Sequence, residues 1–153
     1  GYRPITLLNC DLKILCKAIA NRLHIPLDHL IDPSQSAFIC GRDISDSLLT
    51  HQCLAEHLQR QGHGLWMLMC DLASAYDRVN WDFMRDTMIA MGFRETGHVR
   101  WALLLHLGGS CTVLLNGHAS PFFPRKCGLA QGSGLSPLLW CIVLQPLMVH
   151  SPP

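Results

Sequence analysis

An apolar run that ends in a single carboxylate constrains the fold more than any other feature of this chain. The run is Leu-Trp-Met-Leu-Met-Cys at residues 65–70; it follows two nearby glycines, and Asp71 ends it. Its length and its bounding glycines favour a buried strand over a helix. A carboxylate at the end of a buried strand is costly unless a positive group meets it, and a divalent metal ion is one such group. The alternative is a strand-end Asp that caps or forms a turn.

Helical periodicity precedes this predicted strand. Apolar residues recur at three- and four-residue steps over about residues 12–23, where Asn9 or Asp11 would cap the helix. A second amphipathic helix is predicted over about residues 44–60. The apolar residues expected to face inward from this second helix are Leu48, Cys53, Leu54 and Leu58.

The strand is followed by further helices and a hairpin. Asn80 is the predicted cap of a helix that runs to Met91 and is closed by Gly92, and another helix is predicted over residues 94–107. The Asn116-Gly117 pair between two extended segments is a strong hairpin signal. A glycine-rich loop over residues 128–134 leads to an apolar helix that starts at Ser136-Pro137. This order of elements predicts an α+β fold with helices packed on a small antiparallel sheet.

The charge is unevenly distributed along the chain. Lys and Arg number 12 and Asp and Glu number 11, so the net charge of +1 indicates no particular partner. After Glu95, however, no acidic residue occurs, whereas Arg100, Arg125 and Lys126 do. A basic surface of this kind would suit a phosphate backbone. The alternative is a neutral core segment that has few charges of either sign.

The cysteines predict an intracellular protein with reduced thiols. There are 8 of them, none in a Cys-x-x-Cys pair, and most lie in apolar runs, where a free Cys behaves as a small hydrophobe. We therefore expect them to be core thiols. The longest apolar stretch, over residues 138–149, contains Gln145 and Pro146 and is shorter than the roughly 20 residues that span a bilayer. The sequence thus predicts no membrane association.

A series of motifs resembles one family. The segment Leu68-Met69-Cys70-Asp71-Leu72-Ala73-Ser74-Ala75-Tyr76-Asp77-Arg78-Val79 resembles the first catalytic motif of the reverse transcriptases of LINE-type (non-LTR) retrotransposons. Other segments are similar to that family's motifs and occur in the family's order. They are Tyr2 to Asn9, Gln35 to Ile44, Met91-Gly92-Phe93, Val113 to Gly117, and Gly128-Leu129-Ala130-Gln131-Gly132-Ser133-Gly134-Leu135-Ser136-Pro137-Leu138-Leu139.

The resemblance implies a role for individual residues. Asp71 would be a catalytic carboxylate that binds Mg²⁺, and the Leu72 carbonyl would be a second ligand. Asp77 would hold the turn. The remaining implied contacts are to substrate: Tyr76 under the sugar of the incoming deoxynucleoside triphosphate, Arg42 and Arg3 on the triphosphate, and Gln131 and Gly132 against the nascent base pair and the template strand. Core packing is the alternative for Tyr76, and a solvated surface position is the alternative for both arginines.

The resemblance also implies a polymerase-like architecture in which this chain is incomplete. Residues 1–64 would belong to the fingers and residues 65–153 to part of the palm of a right-hand polymerase fold, without the Ala-Asp-Asp motif or the thumb. The partners would be an RNA template and a DNA primer. Cys127 and Ala130 stand where the family usually has Arg, which would weaken contacts to phosphates. We expect the isolated chain to be inactive as a polymerase.

The resemblance favours a segment of an RNA-directed DNA polymerase, but two alternatives remain open. The chain could instead be a non-catalytic RNA-binding or interaction module, or a degenerate remnant of an element without function. Salt-sensitive binding to a template-primer duplex distinguishes a nucleic-acid-binding protein from a remnant.

Overall fold

The fold consists mainly of helices, with two short β ladders. We describe residues 6–64, 66–106 and 109–149 of a computed structural model. The helices in this part are α1 (Cys10–Leu30), α2 (Ile44–Arg60), a 3-10 turn (Tyr76–Arg78), α3 (Trp81–Ala90), a π turn (Glu95–Val99), α4 (Arg100–Leu104) and α5 (Ser136–Val149). The strands are β1 (Ser110–Cys111), β2 (Leu114–Leu115), β3 (His118–Ala119) and β4 (Phe123–Pro124).

The core forms where α1, α3 and α5 pack together. Helix α1 buries residues at the expected three- and four-residue steps, and these include Ile19 and Leu23. It continues past the predicted end at Leu23 as far as Leu30, through Pro26, because Leu27 on the same face is fully buried. Helix α5 is apolar on nearly all sides and lies in the centre of this core. Its buried residues are Ser136, Leu138, Leu139, Cys141, Ile142 and Gln145.

Helix α3 has the termini that its sequence predicts. The Asn80 side chain accepts hydrogen bonds from the backbone N–H groups of Asp82 and Phe83 at 2.8 and 3.0 Å. These bonds satisfy two of the donors that the first helical turn leaves without partners. Gly92 follows the helix with φ of +90°, the left-handed conformation that commonly ends helices. Asn9 occupies the same position before α1, but its side chain makes no capping hydrogen bond.

Replacement of the α3 cap will therefore destabilise the fold. Asn80→Ala is expected to lower the free energy of unfolding by about 1 kcal/mol, because two backbone N–H groups lose their acceptor. Asn9→Ala is the matched control and is expected to have a much smaller effect. Denaturant unfolding followed by circular dichroism measures both. Equal losses in the two variants would contradict the assignment of Asn80 as the functioning cap.

Helix α2 has the predicted bounds but not the predicted burial. The Asp43 side chain caps it by accepting a hydrogen bond from the Ser45 N–H at 2.8 Å. None of its residues is buried. Leu48 and Leu54, which were expected to face inward, are 59% and 48% exposed, and that expectation is wrong. Among the described residues, no element covers the apolar face of α2.

The predicted strand over residues 65–71 is also not formed. Leu65 lies outside the described residues, and residues 66–72 have no regular secondary structure. Trp66 and Leu68 are 99% and 87% exposed, so the expectation of a buried strand is wrong. A strand needs a neighbouring strand to satisfy its backbone N–H and C=O groups. No described segment pairs with these residues.

The hairpin is formed as predicted, but outside the core. β2 pairs with β3 around Asn116 and Gly117, whose φ values of +49° and +80° are those of a type I′ turn. β1 pairs with β4 in a second antiparallel ladder. The α+β composition is therefore confirmed, whereas the expected packing of helices on the sheet is wrong, since no strand residue belongs to the buried cluster.

Two smaller expectations also fail. The helix predicted over residues 94–107 is divided into the π turn and α4, because Gly97 has non-helical φ and ψ values of −103° and −117°; residue 107 lies outside the described part.

All 8 thiols are free, but only Cys16 and Cys141 are buried, so most are not core thiols. Burial raises the pKa of the Cys141 thiol to about 11. No helix within the described ranges is both long and apolar enough to cross a membrane.

Candidate functional site

Two motif segments that are distant in sequence are joined by short hydrogen bonds. The Gly128 N–H donates to the Val79 carbonyl, and the Leu129 N–H donates to the Tyr76 carbonyl, both at 2.8 Å. The Trp81 indole N–H donates to the Gly128 carbonyl at 2.8 Å. We call this contact between residues 76–81 and 125–131 the junction. It holds the turn that follows Asp71 against the glycine-rich loop.

Arg125 completes the junction. Its guanidinium donates to the Gly128 carbonyl at 2.7 Å and lies 5.9 Å from the centre of the Trp81 ring. One carbonyl oxygen therefore accepts from two side chains, which are themselves in cation–π contact. This interaction fixes the peptide plane at the entrance to the loop. The Arg125 side chain thus has a structural role in the junction.

The residue at position 128 has to be glycine. Its φ is +87°, and a Cβ atom placed there would lie 2.8 Å from the Asp77 carbonyl oxygen and 3.1 Å from the Tyr76 carbonyl oxygen. Both obstacles are backbone atoms, so no side-chain rotation relieves them. The close approach of the two segments therefore depends on the missing side chain.

Substitution of this glycine tests the junction. Gly62 has a similar φ of +75°, but a Cβ atom there would meet no other atom within 4 Å, so Gly62→Ala is expected to cost only about 1 kcal/mol for the left-handed conformation. Gly128→Ala is expected to cost about 1–3 kcal/mol more, because the added methyl group forces the segments apart. Thermal unfolding of both variants gives the difference. Similar losses would show that the junction is looser than described.

Asp77 and Gln131 connect the same two segments through their side chains. The Gln131 amide nitrogen donates to the two carboxylate oxygens of Asp77 at 3.2 and 3.4 Å. The Gln131 backbone carbonyl accepts from the Thr6 N–H at 2.9 Å. Gly132 follows with φ of +108°, and a Cβ there would lie 3.0 Å from the Thr6 carbonyl oxygen. The Asp77 side chain therefore connects its turn to the glycine-rich loop.

Tyr76 lies between the junction and the core. Its side chain is half-buried, and its ring centre lies 5.7 Å from that of Trp140 at an interplanar angle of 54°. Burial raises the pKa of its hydroxyl above the ordinary value. The ring is therefore neutral at physiological pH and held by aromatic packing. The packing role weighed from the sequence is present in this structure.

Asp71, the predicted metal ligand, is exposed. Among the described residues it makes no hydrogen bond or ion pair, and Leu72 next to it is 50% exposed. A free carboxylate and a nearby backbone carbonyl are hard oxygen donors of the type that Mg²⁺ takes, so the donor chemistry fits a divalent ion. The described residues nevertheless contain no group of three or more His, Cys, Asp or Glu side chains placed to hold a metal.

Arg42, predicted to bind a triphosphate, bonds to backbone carbonyls in this structure. Its guanidinium donates to the carbonyl oxygens of Asp32, Gln35, Asp28 and Ile31 at 2.6, 2.9, 3.1 and 3.0 Å. Two of these carbonyls belong to the end of α1, where helical acceptors lack partners. Arg42 thereby connects α1 to the loop that precedes α2. Arg3, its predicted supporting cation, lies outside the described residues.

A conservative substitution separates the two roles of Arg42. Arg42→Lys is expected to lower the free energy of unfolding by about 1–3 kcal/mol, because an ammonium group cannot reproduce the planar fork that reaches four carbonyls. Arg22→Lys on the exposed side of α1 is the control and is expected to change it by less than about 0.5 kcal/mol. Denaturant titration measures both. An unchanged stability for Arg42→Lys would favour the triphosphate role.

Sequence reasoning missed Trp81 and Gly128 as site residues. Trp81 was not singled out, and Gly128 was noted only as the start of the glycine-rich loop and of the motif that contains it. A Trp at a capped helix start, where its indole N–H must find an acceptor, was the available signal. Its acceptor lies 47 residues further along the chain, which no local pattern indicates.

Comparisons with known proteins match nearly the whole chain. The protein-family model described as "Reverse transcriptase (RNA-dependent DNA polymerase)" matches residues 1–151. The chain is 31% identical over 148 residues to the transposon TX1 uncharacterized 149 kDa protein of Xenopus laevis. The aligned residues make up 97% of this chain and 11% of that protein. It is 24% identical over 147 residues to the retrovirus-related Pol polyprotein from the type-2 retrotransposable element R2DM of Drosophila melanogaster, covering 96% of this chain and 14% of that protein.

Proposed function

This chain belongs to the reverse transcriptase (RNA-dependent DNA polymerase) family, and we propose that it forms part of the nucleotide- and template-binding core of such a polymerase. Its resemblance to LINE-type enzymes agrees with the two relatives, which are both proteins of non-LTR elements. The chain spans only about a tenth to a seventh of their length. The observation that carries the proposal is the junction, because it brings the Tyr76-Asp77 turn and the Gln131-Gly132 loop together.

The proposed architecture is that of a right-hand polymerase. Residues 1–64 would form part of the fingers and residues 65–153 part of the palm. This division follows the resemblance, because only α2 of the first part lies outside the buried cluster, whereas α1 packs in one core with α3 and α5. The exposed segment at residues 66–72 would then carry its carboxylate at the surface of the palm part.

We propose that Asp71 and the Leu72 carbonyl supply ligands to a divalent metal ion, with Mg²⁺ the expected ion. Such an ion stabilises the attacking and the leaving oxygens in nucleotidyl transfer. Asp71 is suited to this role because its carboxylate is exposed and has no bond to another described residue. Asp77 differs from it, because its side chain is partly buried and accepts the contacts from the Gln131 amide nitrogen.

The substrate-side contacts are proposed for residues next to the junction. Tyr76 would lie under the sugar of a deoxynucleoside triphosphate, and its packing against Trp140 would hold the ring in place. Gln131 and Gly132 would face the template strand, with an RNA template and a DNA primer as partners. Arg42 and Arg3 are the proposed triphosphate ligands. For Arg42 that contact would require at least part of its fork to leave the carbonyls that it now binds.

Substitution of Lys126, an exposed lysine beside the loop, tests whether this chain binds nucleic acid. The residues after Glu95 carry no acidic group, and Lys126 is exposed close before the junction glycine. The 153-residue chain is expected to bind an RNA–DNA duplex with an affinity that falls as salt rises. Lys126→Ala is expected to weaken that affinity and to reduce the salt slope by about 1.

Fluorescence anisotropy of a labelled duplex at several salt concentrations measures these quantities. Lys13→Ala removes an exposed lysine from α1 and serves as the control. Equal effects of the two substitutions would mean that binding is unspecific with respect to the loop. No binding at low salt would overturn the proposed function.

Polymerase activity of the chain is tested separately. Because the described residues provide Asp71 without two further ligands beside it, we expect no Mg²⁺-dependent primer extension by the purified chain. Asp71→Asn is the matched variant and is expected to be indistinguishable from the wild type in this assay. Extension that the wild type performs and Asp71→Asn does not would show that the metal site is complete within these 153 residues.

A further inference from the structure

The chemistry of Asp77 decides which way the Gln131 amide faces. An ionised carboxylate only accepts hydrogen bonds, so the group that Gln131 turns towards it has to be the NH₂. The 3.2 and 3.4 Å contacts from the amide nitrogen to the two carboxylate oxygens agree with this requirement. The carbonyl oxygen of the Gln131 side chain therefore faces the opposite direction.

That oxygen is available to a ligand. Within the described ranges this oxygen accepts no hydrogen bond. The one buried side-chain polar atom without a partner in those ranges is His24 Nδ1, so the Gln131 oxygen is not a buried atom of that kind. The Gln131 side chain is only partly buried. Its Oε1 atom is thus a solvent-accessible acceptor.

The backbone that carries the Gln131 side chain is held in place. The Gln131 backbone carbonyl is bonded to the Thr6 N–H at 2.9 Å, and a Cβ atom at Gly132 would lie 3.0 Å from the Thr6 carbonyl oxygen. On the other side, the bonds to Gly128 fix the start of the loop against the segment that carries Asp77. Both the residue that orients the amide and the backbone that carries it are therefore held by short contacts.

An acceptor in this position selects a hydrogen-bond donor on the nucleic acid. Phosphate oxygens only accept, so they do not meet this requirement. Base edges carry donors, but which base carries one depends on sequence, and in the minor groove only guanine has an amino donor. The ribose 2′-hydroxyl is a donor that every RNA nucleotide carries and no DNA nucleotide carries.

We propose that Asp77 is a positioning residue that turns the Gln131 side-chain oxygen towards a ribose 2′-hydroxyl of a bound RNA strand. This inference rests on the proposed function, because it requires that the loop faces the template. It gives the site a means of preferring an RNA template over a DNA template that is independent of sequence. Asp77 itself touches neither the nucleic acid nor the metal.

The test compares two duplexes that differ only in the donor. One has an RNA strand paired with DNA, and the other has 2′-fluoro sugars in that strand, which keep the A-form shape but remove the hydroxyl hydrogen. By fluorescence anisotropy at low salt, the wild-type chain is expected to bind the RNA duplex about 3- to 10-fold more tightly, the value of one hydrogen bond. Asp77→Asn is expected to reduce this ratio to less than about 2-fold, because Asn also donates and so permits either amide orientation.

Control variants separate positioning from simple structural damage. Asp28→Asn removes the same charge from an exposed carboxylate of α1 and is expected to leave the ratio unchanged. Gln131→Met keeps the side-chain length without the amide and is expected to abolish the discrimination, even if Asp77→Asn proves too unstable to study. Thermal unfolding of each variant confirms that the protein measured is folded.

The outcomes distinguish this inference from the proposed function. Equal wild-type binding of the two duplexes, or an unchanged ratio in Asp77→Asn, would overturn the inference and leave the proposed function standing. Failure to bind either duplex would overturn both the inference and the proposed function.

The orientation of Gln131 by Asp77 can also be measured without nucleic acid. The Gln131 side-chain amide signal in ¹⁵N NMR is expected to shift in Asp77→Asn and not in Asp28→Asn, and the opposite result would overturn the inference.

Discussion

The contact of Gly128 with the segment from Tyr76 to Trp81 is the constraint on which the described structure depends. It joins two stretches separated by about 50 residues through backbone bonds of 2.8 Å and through the shared carbonyl acceptor of Trp81 and Arg125. Such bonds contribute about 0.5–1.5 kcal/mol each when both partners are removed from water. Their larger effect is geometric, because they fix where α3 begins relative to the loop that leads into α5.

The junction is connected directly to the buried core through the glycine-rich loop. Leu129 on the loop and Leu135 directly after it are buried in the same cluster as the residues of α1, α3 and α5. The Ser136 hydroxyl donates to the Ala130 carbonyl at 2.8 Å, which connects the start of α5 back to the loop. The glycine-rich loop is therefore an integral part of the core on one side and exposed on the side that carries Gln131 and Gly132.

Local signals were sufficient to predict the two ends of α3 and the hairpin. The Asn80 cap, the Gly92 stop and the Asn116-Gly117 turn each depend on residues within a few positions of one another. Burial was not predictable in the same way. Periodicity identifies the apolar face of α2, and apolar character identifies the run at residues 66–70, but neither indicates what covers them. In the described part of the chain nothing does, so a helix with the predicted bounds and a segment with predicted strand character are both exposed.

The two carboxylates of the first motif show that contacts to distant residues also matter within the candidate site. Asp71 and Asp77 lie six positions apart in one motif, and their side chains differ only in surroundings. Asp77 lies against the amide of Gln131, 54 residues away, and both of its oxygens contact that amide nitrogen; Asp71 has no described partner and remains available to a cation. The resemblance implied a metal-binding role for Asp71 and a structural role for Asp77. The loop that the junction holds in place supplies the side-chain partner that Asp77 has and that Asp71 lacks among the described residues.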